Sequence, residues 1–281
     1  MLVHVFARKT IELSIVPLSE IKPHEDTIPD LLDSLTRDMA RTKLQRDPLL
    51  VDRKTHMALD GMHRRAALQK LGAKFAVCAE YNYLDEEIKL ERWLRYFIAP
   101  DSNLLSKLSL VFKMKSCPGY RPAAKIVDED RGSVALLSAA ESLVSRQKGN
   151  PSKVYEKIKK AAALCKAAKI QVEFAPESSR FELFTSESVY VLYPKILRKQ
   201  DVLYMAEKNR VFPCKTTRHV VPVRPMGIYF PLNDLTNSSY ERCTEKLETI
   251  VKGSKITRED REVWYEGRRY SEPLAIFRRE K

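Results

Sequence analysis

The 281-residue sequence has no cysteines at metal-ligand spacing; Cys78, Cys117, Cys165, Cys214 and Cys243 are scattered along it. An odd, dispersed set cannot pair completely within the chain, which argues against a disulfide scaffold and a zinc ribbon. Reduced thiols in or near a core are the simpler reading. No uninterrupted apolar segment is long enough to cross a bilayer, and the opening Met1-Leu2-Val3-His4-Val5-Phe6-Ala7-Arg8-Lys9 lacks the order of a secretory signal. A cytoplasmic location without membrane association is the expectation. Internal repeats and low-complexity tracts are also missing. Gln and Asn are few beside Lys, Arg and Glu, a balance that hints at a thermophilic source.

With 44% hydrophobic residues, the chain can bury a substantial core as one large domain or two modest ones. Its net charge of +13 invites a nucleic-acid reading, because Lys and Arg displace counterions from a phosphate backbone. Yet the basic residues are spread over the whole chain. A solvated basic surface, or a site for a small phosphorylated ligand, gives the same total.

Apolar and β-branched content predicts a first strand at Ile11–Leu18, then a helix with Thr27 as N-cap and Pro29 in its first turn. A second strand is expected over Pro48–Asp52, a helix over Met62–Leu71 stopped by Gly72, and a strand over Phe75–Ala79. Apolar Ile88, Trp93, Leu94 and Phe97 predict a helix over Asp85–Phe97. Such short alternation indicates an α/β or α+β unit. Turn clusters then change the character of the chain, and a soft domain boundary is placed near residues 98–102. Beyond it the pattern gives a turn at Gly149-Asn150-Pro151, a helix from Ser152 to about Lys169, and strands at Val172–Ala175 and Val189–Tyr193. Helices around Ile196–Asn209 and Tyr240–Val251 and a terminal hairpin through Glu266-Gly267 complete it.

Three segments could carry chemistry. In Asp60-Gly61-Met62-His63-Arg64-Arg65, a glycine turn feeds backbone N–H groups and basic side chains into a helix start, an arrangement suited to phosphate. Asp60 could hold Mg²⁺ or order its water shell beside bound phosphates; it could equally be a plain helix cap. Pro23-His24-Glu25-Asp26 follows the first strand, where Glu25 could accept the proton of an attacking hydroxyl or simply form an exposed acidic turn. Thr216-Thr217-Arg218-His219, followed by Val221-Pro222-Val223-Arg224-Pro225, could grip a carboxylate or phosphate, or be a basic edge strand. Trp93 matters only in combination with these, since a tryptophan in an amphipathic helix is commonly core.

Taken together and in this order, these segments, with Val51-Asp52-Arg53-Lys54-Thr55 leading to Leu59 and the glycine turn, resemble the archaeal free-serine kinases of the ParB/sulfiredoxin-like superfamily. The resemblance implies a ParB/sulfiredoxin-like nucleotide-binding domain over residues 1–99. A mixed α+β domain over 100–281 would complete the serine site, with the active-site cleft between the two. It implies phosphoryl transfer from ADP or ATP, with Mg²⁺, to the hydroxyl of L-serine, giving O-phospho-L-serine for cysteine biosynthesis. By matching positions, Glu25 would be the general base. Asp60, Gly61, Met62, His63 and Arg64 would hold the donor phosphates and the metal, and Trp93 would shape the serine pocket. Thr217, Arg218, His219 and Arg224 would bind serine or its new phosphate. The family's turn often reads Asp-Gly-His-His-Arg, and Met62 replaces the first His, leaving the backbone cradle intact. Met62 also argues against sulfiredoxin-type chemistry, which needs a thiolate there. A ParB-like, nucleotide-dependent DNA-binding module is the alternative, although no convincing helix-turn-helix follows Phe97.

Overall fold

The computed structural model describes residues 1–281 except 7–8, 99–101, 140, 148–149, 184–187, 261–262, 266 and 280–281. The middle of the expected boundary, Gly149 of the expected turn and Glu266 of the expected hairpin lie outside the described residues. The chain is mixed α and β, as expected, and divides into two compact units. One comprises Met1–Lys89, Leu203–Val211 and His219–Lys281; the other comprises Leu90–Val202 and Phe212–Arg218.

The first unit is built on a five-stranded sheet of β1 (Leu2–Phe6), β2 (Lys9–Pro17), β4 (Leu49–Asp52), β5 (Ala58–Asp60) and β6 (Phe75–Tyr81), in the order β1-β2-β6-β4-β5. The two-residue strand β3 (Leu44–Gln45) lies between β2 and β4 in sequence. On β2 the alternation of Ile11, Leu13 and Ile15 puts one face in the core, and β4 is buried along its whole length. β4 runs parallel to β6, so the chain between them must cross over. It does so through β5 and the helix α2 (Met62–Lys70).

Helix α1 (Pro29–Thr42) packs on α2. Its N-cap is Ile28 rather than Thr27, and no side chain caps it; Pro29 opens the helix as expected. The Ile28 N–H finds the His63 ring instead of a hydroxyl. Gly72, with φ +73°, follows the end of α2 in the left-handed conformation that stops a helix.

The C-terminal segment returns to this sheet, a departure from the expected single domain over 100–281. Phe230–Pro231 pairs antiparallel with β3. Tyr229 N–H donates to Arg46 O (2.9 Å), Leu232 N–H to Lys43 O (2.8 Å) and Lys74 N–H to Leu235 O (2.9 Å). The helices Leu232–Asn237 and Tyr240–Lys252 pack over β6 and β2. A second sheet orders Arg224–Met226, Leu274–Arg279 and Ser254–Glu259, and Val263–Tyr265 forms the expected hairpin with Arg268–Tyr270.

The second unit carries a seven-stranded sheet in which Thr217–Val220, Glu173–Pro176 and Val189–Pro194 all pair with β7 (Lys89–Ile98). β7 replaces the helix expected over Asp85–Phe97. Positions 88, 93, 94 and 97 fit a helical stripe, but the run Trp93 to Ile98 is aromatic and β-prone, and short apolar runs do not separate the two periods. Arg92 and Arg95, buried in the same strand, disguise the pattern further. Arg92 is accommodated because its guanidinium meets Asp128 (2.6 Å), Glu177 (2.6 Å), the Tyr193 hydroxyl (2.6 Å) and the Pro194 carbonyl, and lies over the Tyr193 ring.

Gln45 shows how tightly the first unit is specified. Its buried amide donates to Val77 O (2.8 Å) and accepts from Val77 N–H (2.9 Å), so a side chain completes the edge of a strand. Gln45→Ala leaves both backbone groups buried without those partners. It should lower the unfolding free energy by about 2–4 kcal/mol in urea titration, whereas a silent substitution would show that water takes over both bonds.

Candidate active site

The three segments singled out in the sequence meet largely within the first unit, and the first contact is set by backbone. Lys22 forms a parallel bridge with Met57, its N–H donating to His56 O (3.1 Å) and its carbonyl accepting from Ala58 N–H (2.9 Å). This lays Pro23-His24-Glu25 beside β5, the strand that ends in Asp60. The His24 Nδ1–H then donates to the Ala58 carbonyl at 2.7 Å. A carbonyl can only accept, so the proton sits on Nδ1. Burial lowers the His24 pKa below its ordinary value against the opposing pull of Glu25, the Ala58 carbonyl and Asp60, which keeps the ring neutral at pH 7. Its Nε2 faces Glu25 Oε1 at 3.7 Å.

Gly61 makes the turn. Its φ of +100° belongs to the left-handed side of backbone space, and a Cβ there would stand 2.6 Å from Leu49 Cδ2, so both conformation and space require glycine. Gly61 is also the N-cap of α2, with no side-chain cap bond and no acidic residue in the first turn. The ladder begins with Arg65 N–H to Gly61 O (2.8 Å), so the N–H groups of Met62, His63 and Arg64 precede it and give the helix start its positive end.

The side chains of this turn have defined duties. Met62 is buried as an apolar anchor. His63 Nε2 accepts the Ile28 N–H at 2.9 Å, which places the ring proton on Nδ1. Arg64 Nη1 donates to the Asp47 and Pro48 carbonyls, both at 2.9 Å, fastening α2 to the entry of β4. Arg65 Nε donates to Ile21 O at 2.6 Å.

The third segment divides between the units. His219 and Arg224 count with the first; Thr217 and Arg218 count with the second. His219 is buried, packs edge-on against His24 with ring centroids 5.3 Å apart, and has its Nε2 2.9 Å from the Tyr83 hydroxyl. Its pKa falls well below the usual histidine value, through burial first and the neighbouring His24 second. Arg224 pairs with Asp60 and with Glu272 (2.8 Å), itself buried; the two carboxylates hold it charged against burial. The expected ligand-gripping guanidinium is thus committed to anchoring Asp60, and Asp60 to receiving it. In the second unit, Arg218 pairs with Glu91, Thr217 is buried, and Trp93 lies on a strand under the Lys215 ammonium, 4.3 Å from the ring centroid.

Tyr83 and Glu272 escape a reading of the sequence, as does the part that Asp52 plays within its segment. Asp52 Oδ2 accepts from Thr55 N–H (2.9 Å) and Oγ1 (2.7 Å), and Oδ1 from Tyr83 N–H (3.0 Å), so it shapes the β4–β5 turn and seats Tyr83. The Asp-x-x-Thr spacing signals that turn. Tyr83 and Glu272 carry no local signal. Among the described residues, no group of three or more His, Cys, Asp or Glu is arranged to hold a metal ion, and no helix is long and apolar enough to cross a membrane.

Two outcomes follow from this geometry. Gly61→Ala should cost about 2–4 kcal/mol, from the disfavoured φ and the overlap with Leu49, read as a lower calorimetric Tm; an unchanged Tm would show that the turn relaxes freely. His24 and His219 bind protons more weakly folded than unfolded. Their contribution to stability is therefore complete above the ordinary histidine pKa and is lost as pH falls below it. Each should remove up to about 1.4 kcal/mol per pH unit in that acid range, and His219→Gln should flatten the dependence of Tm on pH between about 7 and 5.

No family model matches the chain. It is 24% identical over 234 residues to the ADP-dependent L-serine kinase SerK of Thermococcus kodakarensis, covering 81% of this chain and 94% of that protein. It is also 24% identical over 241 residues to an ATP-dependent L-serine kinase of Staphylothermus marinus, covering 81% and 92%. A free serine kinase carrying a glutamate-to-alanine substitution, solved with AMP, superposes with a TM-score of 0.68 at 23% identity, covering 80% of this chain and 94% of that one. The fold is that of the free serine kinase structure, and the sequence resembles archaeal L-serine kinases over about four-fifths of its length.

Proposed function

We propose that this chain is a nucleotide-dependent free L-serine kinase, transferring a phosphoryl group from ADP or ATP to the serine hydroxyl to give O-phospho-L-serine. The observation that carries the reading is the meeting of Glu25, the Gly61 turn and the His219-to-Arg224 segment in one unit, in a chain that resembles L-serine kinases along most of its length. Phosphoryl transfer passes through a loose transition state, so the protein chiefly aligns donor and acceptor and stabilises spreading charge. The N–H groups at the start of α2, with Gly61 allowing close approach, receive the donor phosphates, and the His63 Nδ1–H adds a neutral donor. Asp60, steadied by Arg224, would order the water shell of a Mg²⁺ brought in with the nucleotide, a cation that would neutralise charge on the phosphates. Glu25 orients the serine hydroxyl and takes its proton as the new O–P bond forms.

A coupled assay offering ADP and ATP separately, with serine and with threonine, tests the reading and identifies the donor. Glu25→Gln should lower kcat by about 10²- to 10⁴-fold while nucleotide affinity is retained. Full activity in that variant, or serine-independent turnover with salt-sensitive DNA binding, would overturn it.

A further inference from the structure

Behind Glu25 stands a buried row of rings that a phosphate turn does not require. His24 is 1% exposed, His219 4% and Tyr83 0%. The rings follow one another edge-on, His24 to His219 at 5.3 Å and Tyr83 to His219 at 5.2 Å between centroids. Each end of the row is fixed by backbone: His24 Nδ1–H to the Ala58 carbonyl, Tyr83 N–H to Asp52. The groups around His24 are Glu25 on its own segment, the Ala58 carbonyl and Asp60 from β5, and His219 from the C-terminal segment. Arg224 stands near His219 but is occupied by Asp60 and Glu272.

We propose that His24 is a positioning residue which, with its Nδ1 proton held by the Ala58 carbonyl and its ring backed by the His219–Tyr83 pair, presents an Nε2 lone pair to Glu25 and so stabilises the protonated carboxyl formed during phosphoryl transfer. This rests on the kinase reading above and adds a role that the reading does not need. While Glu25 is ionised, its negative oxygen and the lone pair repel, consistent with 3.7 Å, beyond hydrogen-bond range. When the serine hydroxyl attacks, the O–P bond to serine forms and the P–O bond to the donor breaks, its electron pair leaving on the product nucleotide. The serine proton passes to Glu25. That O–H then has an acceptor, Nε2, within a small side-chain movement, so the proton is held away from the new phosphoester. A neutral imidazole suits this role, because a protonated ring would pair with the carboxylate and suppress its basicity.

The test compares His24→Asn, whose amide can keep the Nδ1-type bond to Ala58 but offers nothing at the Nε2 position, with His24→Gln, whose amide oxygen can reach it. The wild-type protein and Glu25→Gln are assayed beside them. His24→Asn should lose about 10- to 30-fold in kcat, the worth of one hydrogen bond to a developing charge, with ADP or ATP affinity by calorimetry unchanged within about twofold. His24→Gln should recover most of that loss. Wild-type kcat in His24→Asn, or equal impairment of both variants with nucleotide affinity intact, overturns the proposal. Inactivity of the wild-type protein with serine, or full activity of Glu25→Gln, instead overturns the kinase reading itself. If His24→Asn does not fold, Tyr83→Phe takes its place, deleting one hydroxyl from the backing pair: kcat about threefold lower at unchanged KM supports the proposal, and unchanged kcat overturns it.

Discussion

A buried guanidinium must find negative partners, and in this chain Arg224 finds two, Asp60 from the Gly61 turn and Glu272 from the final stretch. The geometry of the turn depends on that requirement. Removing Arg224 would leave Glu272 a buried charge without its partner, at a cost of about 3–5 kcal/mol. The chain is therefore constrained to bring residues 164 apart in sequence to one point. The Asp47 side chain, accepting from Gly227 N–H at 2.9 Å, repeats the link a few residues away, while the Asp47 carbonyl receives Arg64. The helix start is thus held from both ends of the chain, which is why the C-terminal segment belongs to the first unit.

The local parts of this arrangement are legible in the sequence. Gly61 has to be glycine for a turn of its hand, Pro29 has to open a helix, and the apolar Leu49-Leu50-Val51 run has to be a buried strand. The segments around Glu25, Gly61 and Arg224 stand out by their chemistry alone, and the fold brings Glu25, the turn, His219 and Arg224 into one unit. Physics that depends on long-range partners is not legible. Nothing local to Arg92 announces Asp128, Glu177 and Pro194 around it, and β7 reads as a helix. Arg224 reads as a ligand clamp until Glu272 is seen beside it. In both cases the sequence shows a charge but not whether another part of the chain neutralises it. Trp93 changes its setting for the same reason, once its helix becomes a strand.

The composition is ambiguous in a related way. A surplus of +13 suggests attraction between cations and a polyanion, yet the cations nearest the turn are occupied by the protein: Arg64 by two carbonyls, Arg65 by Ile21 O, Arg224 by two carboxylates. What the start of α2 itself carries is dipolar, namely the N–H groups that precede its hydrogen-bond ladder. Dipoles release no condensed counterions when they bind phosphate, so such a site has little of the steep salt dependence that marks nucleic-acid binding. They also hold an anion less tightly than buried cations would. That suits the proposed reaction, whose donor and product both carry phosphate and whose product must depart. The Arg224 charge contributes through the backbone it fixes, by keeping Asp60 and hence Gly61 in place at the start of α2.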